Sequence, residues 1–174
     1  MSTLRVDKLQ GQTADGTNRY VVQVKSTTTT TTSGSSSTSF ADVTDLNVSI
    51  TPSSTSNKVL VTGRLSFGRD NNNTGATMRL LRTVSGTSTE IGSGVSEGSR
   101  PAGMHELSTP GSSEMREATI NFLDSPNTTS SITYQVQIRS RDGSEVSANR
   151  TGSDGNEVYN VRSSSTITVM EIAQ

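Results

Sequence analysis

The stretch Thr133-Tyr134-Gln135-Val136-Gln137-Ile138-Arg139-Ser140 decides the fold class. Tyr134, Val136 and Ile138 alternate strictly with Gln135, Gln137 and Arg139. A period of two puts the first set on one face of a strand and the second on the other, as in a half-buried sheet. The same alternation runs through Leu46, Val48 and Ile50, and through Val59, Val61 and Leu65. In Thr166–Ile172 both sets contain apolar residues, so that strand is expected to be covered on both faces. Working outward, strands are predicted at Ser39–Val43, Leu46–Thr51, Lys58–Phe67, Thr77–Val84, Ala118–Leu123, Thr133–Ser140, Glu145–Asn149 and Thr166–Ile172. Turn chemistry separates them at Thr51-Pro52-Ser53-Ser54, Asp70–Gly75, Asp124-Ser125-Pro126-Asn127 and Arg141-Asp142-Gly143-Ser144. No segment carries a helical stripe. The nearest, Met115 with Ala118, lies in a run too short to stand alone. The pattern predicts an all-β chain, an antiparallel β-sandwich or jelly roll.

Composition sets the expectation for the core. Only 28% of the 174 residues are apolar and 3% aromatic, while 30 Ser and 27 Thr make up about a third of the chain. A core drawn from so few large side chains is expected to be thin and to gain burial from partner chains, which points to an oligomer. Disorder is disfavoured, because the net charge is only −1 and the apolar residues fall in short alternating runs. The balanced charge also argues against a nucleic-acid binder. No window approaches 18 apolar residues, so no membrane insertion is expected. The opening MSTLRVDKLQGQ has no apolar core of a signal peptide, so no secretory leader is expected. Cysteine is absent, which removes disulfides and thiolate metal sites.

Texture divides the chain in three. Residues 1–25 hold the apolar runs Leu4–Leu9 and Tyr20–Val24, separated by an Asp15-Gly16 turn. Residues 26–37, STTTTTTSGSSS, contain no apolar residue. They read as a flexible or extended linker, open to proteolysis, or else as an edge strand paired in an oligomer. Residues 38–174 form the sandwich domain, interrupted by a Gly- and Ser-rich loop over Ile91–Glu117.

Chemistry-bearing motifs are sparse. His105 is the single histidine, with no G-x-S-x-G elbow to accompany it. Gly92-Ser93-Gly94 lacks the third glycine and the helix of a phosphate loop. Asp70, Asn72 and Thr74 stand at the first, third and fifth positions of a calcium-like loop, but the twelfth position is Leu81. A polar hairpin turn is the favoured reading there, with a weak cation site as the alternative. Glu97, Glu106, Glu114 and Glu117 cluster in the long loop, without the aromatic platforms that glycan cleavage ordinarily uses. Arg139, Arg141 and Arg150 interleave with Asp142, Glu145 and Asp154 and read as a mixed salt-bridged surface. No catalytic residue, metal site or cofactor is assigned.

Several stretches carry a resemblance. Thr38–Val43, Leu46–Pro52 and Ser56–Val61 resemble a module of tailed-phage virion structural proteins, especially those of marine phages and cyanophages. Phe122–Pro126 and Ser165–Glu171 look like parts of the same module, and Ser2–Gln10 looks like the start of many phage fibre proteins. The resemblance implies a non-enzymatic tail fibre or fibre-like appendage, homotrimeric, located on the virion and contributing to host-surface attachment. The alternative it implies is a head fibre or capsid-decorating protein. Leu4, Val6, Leu9, Tyr20, Val22 and Val24 are then the candidate particle anchor, docking on a tail hub or adaptor, or on the capsid. Asp70, Asn72, Thr74, Arg100, Met104, His105, Arg141 and Asp142 are the candidate exposed receptor loops, with a host-surface glycan as a possible ligand.

Overall fold

A computed structural model describes residues 19–70 and 75–174. Among them the chain forms β1 (Val21–Thr29), β2 (Ser33–Ser35), β3 (Ala41–Ile50), β4 (Lys58–Arg69), β5 (Ala76–Val84), β6 (Thr87–Ile91), β7 (His105–Leu107), β8 (Met115–Asp124), β9 (Ile132–Ser140), β10 (Val146–Ala148) and β11 (Ser165–Ile172), with no helix. The strands build two antiparallel sheets. The first runs β1-β11-β4-β10-β2, with β8 also paired to β4. The second runs β3-β9-β5-β6, with β7 paired to β5. Together they make the sandwich that the alternation predicts.

The core lies between the sheets. β4 and β11 contribute Val59, Val61, Leu65, Phe67, Ile167 and Val169 from one side. β3, β5 and β9 contribute Val48, Ile50, Met78, Leu80, Tyr134, Val136 and Ile138 from the other. Burying each such side chain contributes about 1.5–3 kcal/mol. The chain therefore holds a core of its own between the sheets. The physical reason is economy of placement: period-two strands need apolar residues on one face only, and Ser, Thr and Gln fill the other. In β11 the inward set is fully buried and the outward set, with Met170 and Ile172, is half-buried.

Two strands predicted separately at Ser39–Val43 and Leu46–Thr51 are one strand, β3, with a bulge. Register against β9 jumps between Asp42 and Asn47. Asp45 takes a left-handed φ of 59° there, so that Val43 and Leu46 both point inward. Gln135 Nε2 donates to the carbonyls of Val43 (3.1 Å) and Leu46 (3.3 Å), serving backbone acceptors that the bulge removes from the ladder.

Residues 26–37 are corrected from linker to sheet. β1 crosses the boundary drawn at residue 25 and pairs with β11 from Val21 to Thr29. β2 pairs with β10. Between them Thr31 Oγ1 donates to Asp45 Oδ2 (2.9 Å), and Asn149 Nδ2 donates to the Thr31 carbonyl (2.8 Å). Composition misleads here because the segment needs no apolar side chain: β11 supplies backbone partners, and Ser26 and Thr28 pair hydroxyls with Thr168 and Thr166. Digestion with a broad-specificity protease such as subtilisin is accordingly expected to spare Ser26–Ser37. Preferential cleavage there would contradict the pairing.

The sandwich has two unlike ends. At the base, Val21, Ile172 and Lys58 are aligned, with Asp124 opposite Val59. Ile50, Ile132, Val84 and Thr87 align at the same end of the second sheet. The base connections are turns at 51–57, 85–86 and 125–131. The opposite end, the crown, carries Asp70, Gly75, 108–114, 141–145 and 149–164. Two polar clusters lock the base. Glu171, fully buried, accepts from Gln23 Nε2 (2.6 Å), the Ser53 amide (2.7 Å), Ser53 Oγ (2.8 Å) and Asn57 Nδ2 (2.6 Å). Asp124 of the first sheet accepts from Tyr134 Oη (2.7 Å) and Arg82 (2.8 Å) of the second.

Candidate functional site: a cleft among the crown loops

At the crown the backbone packs closely. A side chain on Gly68 or Gly152 would run into the backbone of the 150–152 segment or of Arg69, respectively, so the 149–164 connection lies flat against the end of β4. The Asp70 amide donates to the Glu145 carbonyl (3.2 Å), and the Arg141 amide donates to the Gly75 carbonyl (3.3 Å). These contacts draw Asp70, Gly75 and the turn after β9 together beside β7.

A cleft of about 520 Å³ opens there, lined by residues that include Thr77, Ser99, Pro101, Met104, Arg139 and Arg141. Its floor is the outer face of the second sheet, where Thr77 of β5 stands opposite Arg139 of β9. One wall is the segment leading into β7, tied down by the Met104 amide on the Met78 carbonyl (2.8 Å). The Phe40 ring braces the floor, with the Arg79 guanidinium 3.9 Å and that of Arg139 5.2 Å from its centre. Arg79 is neutralised by Glu90 (3.1 Å) and bonded to Gln137 (2.8 Å). Arg141 reaches Glu106 only at 3.9 Å.

The structure brings part of the candidate receptor set together. Met104, His105 and Arg141 line the cleft, and Arg100 sits between two of its lining residues, Ser99 and Pro101. Arg100 itself is exposed and paired with Glu97 (3.2 Å). Asp142 organises the turn instead, accepting from the Ser144 amide (3.0 Å) and standing 4.0 Å from the buried Arg69. Burial pushes the Arg69 guanidinium below its ordinary value, and Asp142 opposes that shift. Asp70 is exposed just past the buried end of β4, while Asn72 and Thr74 lie outside the described residues. The expected loop over Ile91–Glu117 is interrupted by β7 and by the start of β8. Among the described residues no cluster of His, Asp and Glu is fit to hold a metal ion.

No family model matches the chain, and no curated protein matches it. Similarity is found to solved structures of infectious bursal disease virus. The VP2 subviral particle aligns at 13% identity and a TM-score of 0.45, covering 99% of this chain and 43% of that one. The Gx strain aligns at 12% identity and a TM-score of 0.40, covering 99% and 45%. The chain spans less than half the length of these structures. A likeness this shallow carries no functional inference.

Two features escape a reading of the sequence. Arg139 reads as one member of a mixed charged surface, and only folding places it on the cleft floor. The 149–164 connection shows Val158 fully exposed beside an exposed Tyr159, on a loop closed by Arg162 and Asp154 (2.9 Å). Its signal is an apolar pair inside a polar loop.

The described part of the candidate anchor lies at the other end. Leu4, Val6 and Leu9 fall outside the described residues, whereas Tyr20, Val22 and Val24 are exposed at the base on or beside the edge strand β1. Register places Val24, Met170, Leu60 and Leu123 side by side across the outer face of the first sheet. Val24 is 52% and Leu123 47% exposed, so the row is an apolar surface facing outward.

Proposed function

We propose that this chain is a non-enzymatic virion structural protein of a tailed phage, a tail fibre or fibre-like appendage that contributes to host-surface attachment as a homotrimer. The observation that carries the reading is the polarity of the sandwich. The chain enters β1 at the base, beside an outward-facing apolar row, and the long connections and the cleft lie at the crown. A base that packs against copies of the chain and the particle leaves the crown free to meet a cell. The tailed-phage resemblance of Thr38–Val61 and Ser165–Glu171 supports the same assignment.

Two measurements test it. The purified full chain is expected to sediment as a trimer, and Leu60→Glu to shift it to monomer by placing a charge in the apolar row. A wild-type monomer would remove the homotrimer. Cells treated with excess purified chain are expected to adsorb fewer phage. Unchanged adsorption, with virions that lose capsid stability when they lack the chain, would move the function to capsid decoration.

A further inference from the structure

We propose that the crown cleft binds an acidic saccharide, with Arg139 and Arg141 holding its carboxylate or sulfate. The inference rests on the attachment reading and names the ligand class for it. Four observations lead there. First, Arg139 has no carboxylate partner among the described residues, and its Nε is buried without a hydrogen bond. Its neighbour Arg79 shares the same Phe40 ring but is paired with Glu90 and Gln137. A buried guanidinium N–H left unmade is costly, and an incoming anion supplies the missing acceptor. Second, Arg141 is the other guanidinium on the cleft, and Glu106 at 3.9 Å is too distant for a hydrogen bond to it. Two arginines against one carboxylate leave a positive charge on the cleft of a chain whose net charge is −1.

Third, the rest of the lining suits a sugar. Thr77 and Ser99 carry hydroxyls that exchange hydrogen bonds with ring hydroxyls. Pro101 and Met104 provide apolar surface for the C–H face of a pyranose. Fourth, Arg139 is held before any ligand arrives. Its guanidinium lies 5.2 Å from the Phe40 ring centre, and its strand is paired on both sides. A planar guanidinium fixed in place presents its donors to a carboxylate or sulfate with little entropy left to lose. Nucleic acid is a poor fit, because 15 basic residues stand against 16 acidic ones and the chain lacks the basic excess that a polyanion binder uses.

Titration calorimetry on the full chain tests the proposal with a uronic-acid disaccharide, a sulfated disaccharide, a neutral disaccharide and poly-glutamate. At least one acidic sugar is expected to bind about tenfold or more tightly than the neutral one, and to weaken as salt rises. The uronic and sulfated arms identify which acid is preferred. Arg139→Ala is expected to lose about tenfold or more in affinity, and Arg139→Lys to recover part of it. Equal binding of the neutral sugar, equal affinity of Arg139→Ala, no sugar binding up to solubility, or tighter binding of poly-glutamate would each overturn the proposal. If Arg139→Ala does not fold, amide shifts of the wild-type chain decide. Changes at Thr77, Met104 and Arg141 support the cleft, and changes elsewhere overturn it. The attachment reading fails separately: purified chain that blocks adsorption without binding acidic sugars overturns only the ligand class. Sugar binding by a chain absent from virions overturns only attachment.

Discussion

Glu171→Ala is expected to destabilise the chain by about 3–5 kcal/mol, the range for removing one partner from a buried charged network. The substitution removes the shared acceptor of Gln23, Ser53 and Asn57, of which Asn57 is buried, Gln23 half-buried and Ser53 exposed. These residues come from β1, the turn before β4, and β11, so one carboxylate ties three parts of the base. Burial by itself pushes the Glu171 carboxyl up. The hydrogen bonds from Asn57, Gln23 and Ser53 outweigh burial and hold it at about 2, against an ordinary 4.5. The sign follows from that depression. The stabilisation is complete above about pH 4.5 and is lost as pH falls toward 2, amounting to about 3 kcal/mol. Denaturant unfolding between pH 7 and 2 measures it. Glu171→Gln should flatten the acid limb while keeping the size of the side chain. A variant with the wild-type acid limb would assign that limb to other carboxylates.

Asp124→Ala is expected to cost about 3 kcal/mol. It leaves the Tyr134 hydroxyl buried without an acceptor, while Arg82, partly exposed, regains some hydration. Tyr134→Phe removes one hydrogen bond but leaves Asp124 paired with Arg82, so about 2 kcal/mol is expected. Burial raises the Tyr134 phenol above its ordinary value, and the Asp124 hydrogen bond adds to that, so the hydroxyl stays a donor across the neutral range. Because Asp124 belongs to one sheet and Tyr134 to the other, the double variant should lose less than the sum of the single ones. Additive losses, measured by urea unfolding, would mean that the contact does not join the sheets energetically.

Strands that alternate were legible from residue order alone. Leu46–Ile50, Val59–Leu65 and Tyr134–Ile138 each lie where period two puts them, with the inward set buried. Short strands that borrow backbone partners were not legible. Ser33–Ser35 and His105–Leu107 have no alternation of their own and exist because β10 and β5 offer a ladder. The same holds for Thr27–Thr29, where the Thr run reads as linker until β11 is placed beside it. The cleft was half legible. Met104, His105 and Arg141 stood out as loop residues, but Arg139 and Thr77 lie mid-pattern on strands. Their meeting on the outer face follows from the β5–β9 register, which no local signal carries.

The proposed role on the particle is tested most directly by immunogold electron microscopy of intact virions, with antibody raised against Thr38–Gln174. Gold at the tail, with crown epitopes accessible, is the result this account predicts. Gold over the capsid, or virions left unlabelled, would contradict it.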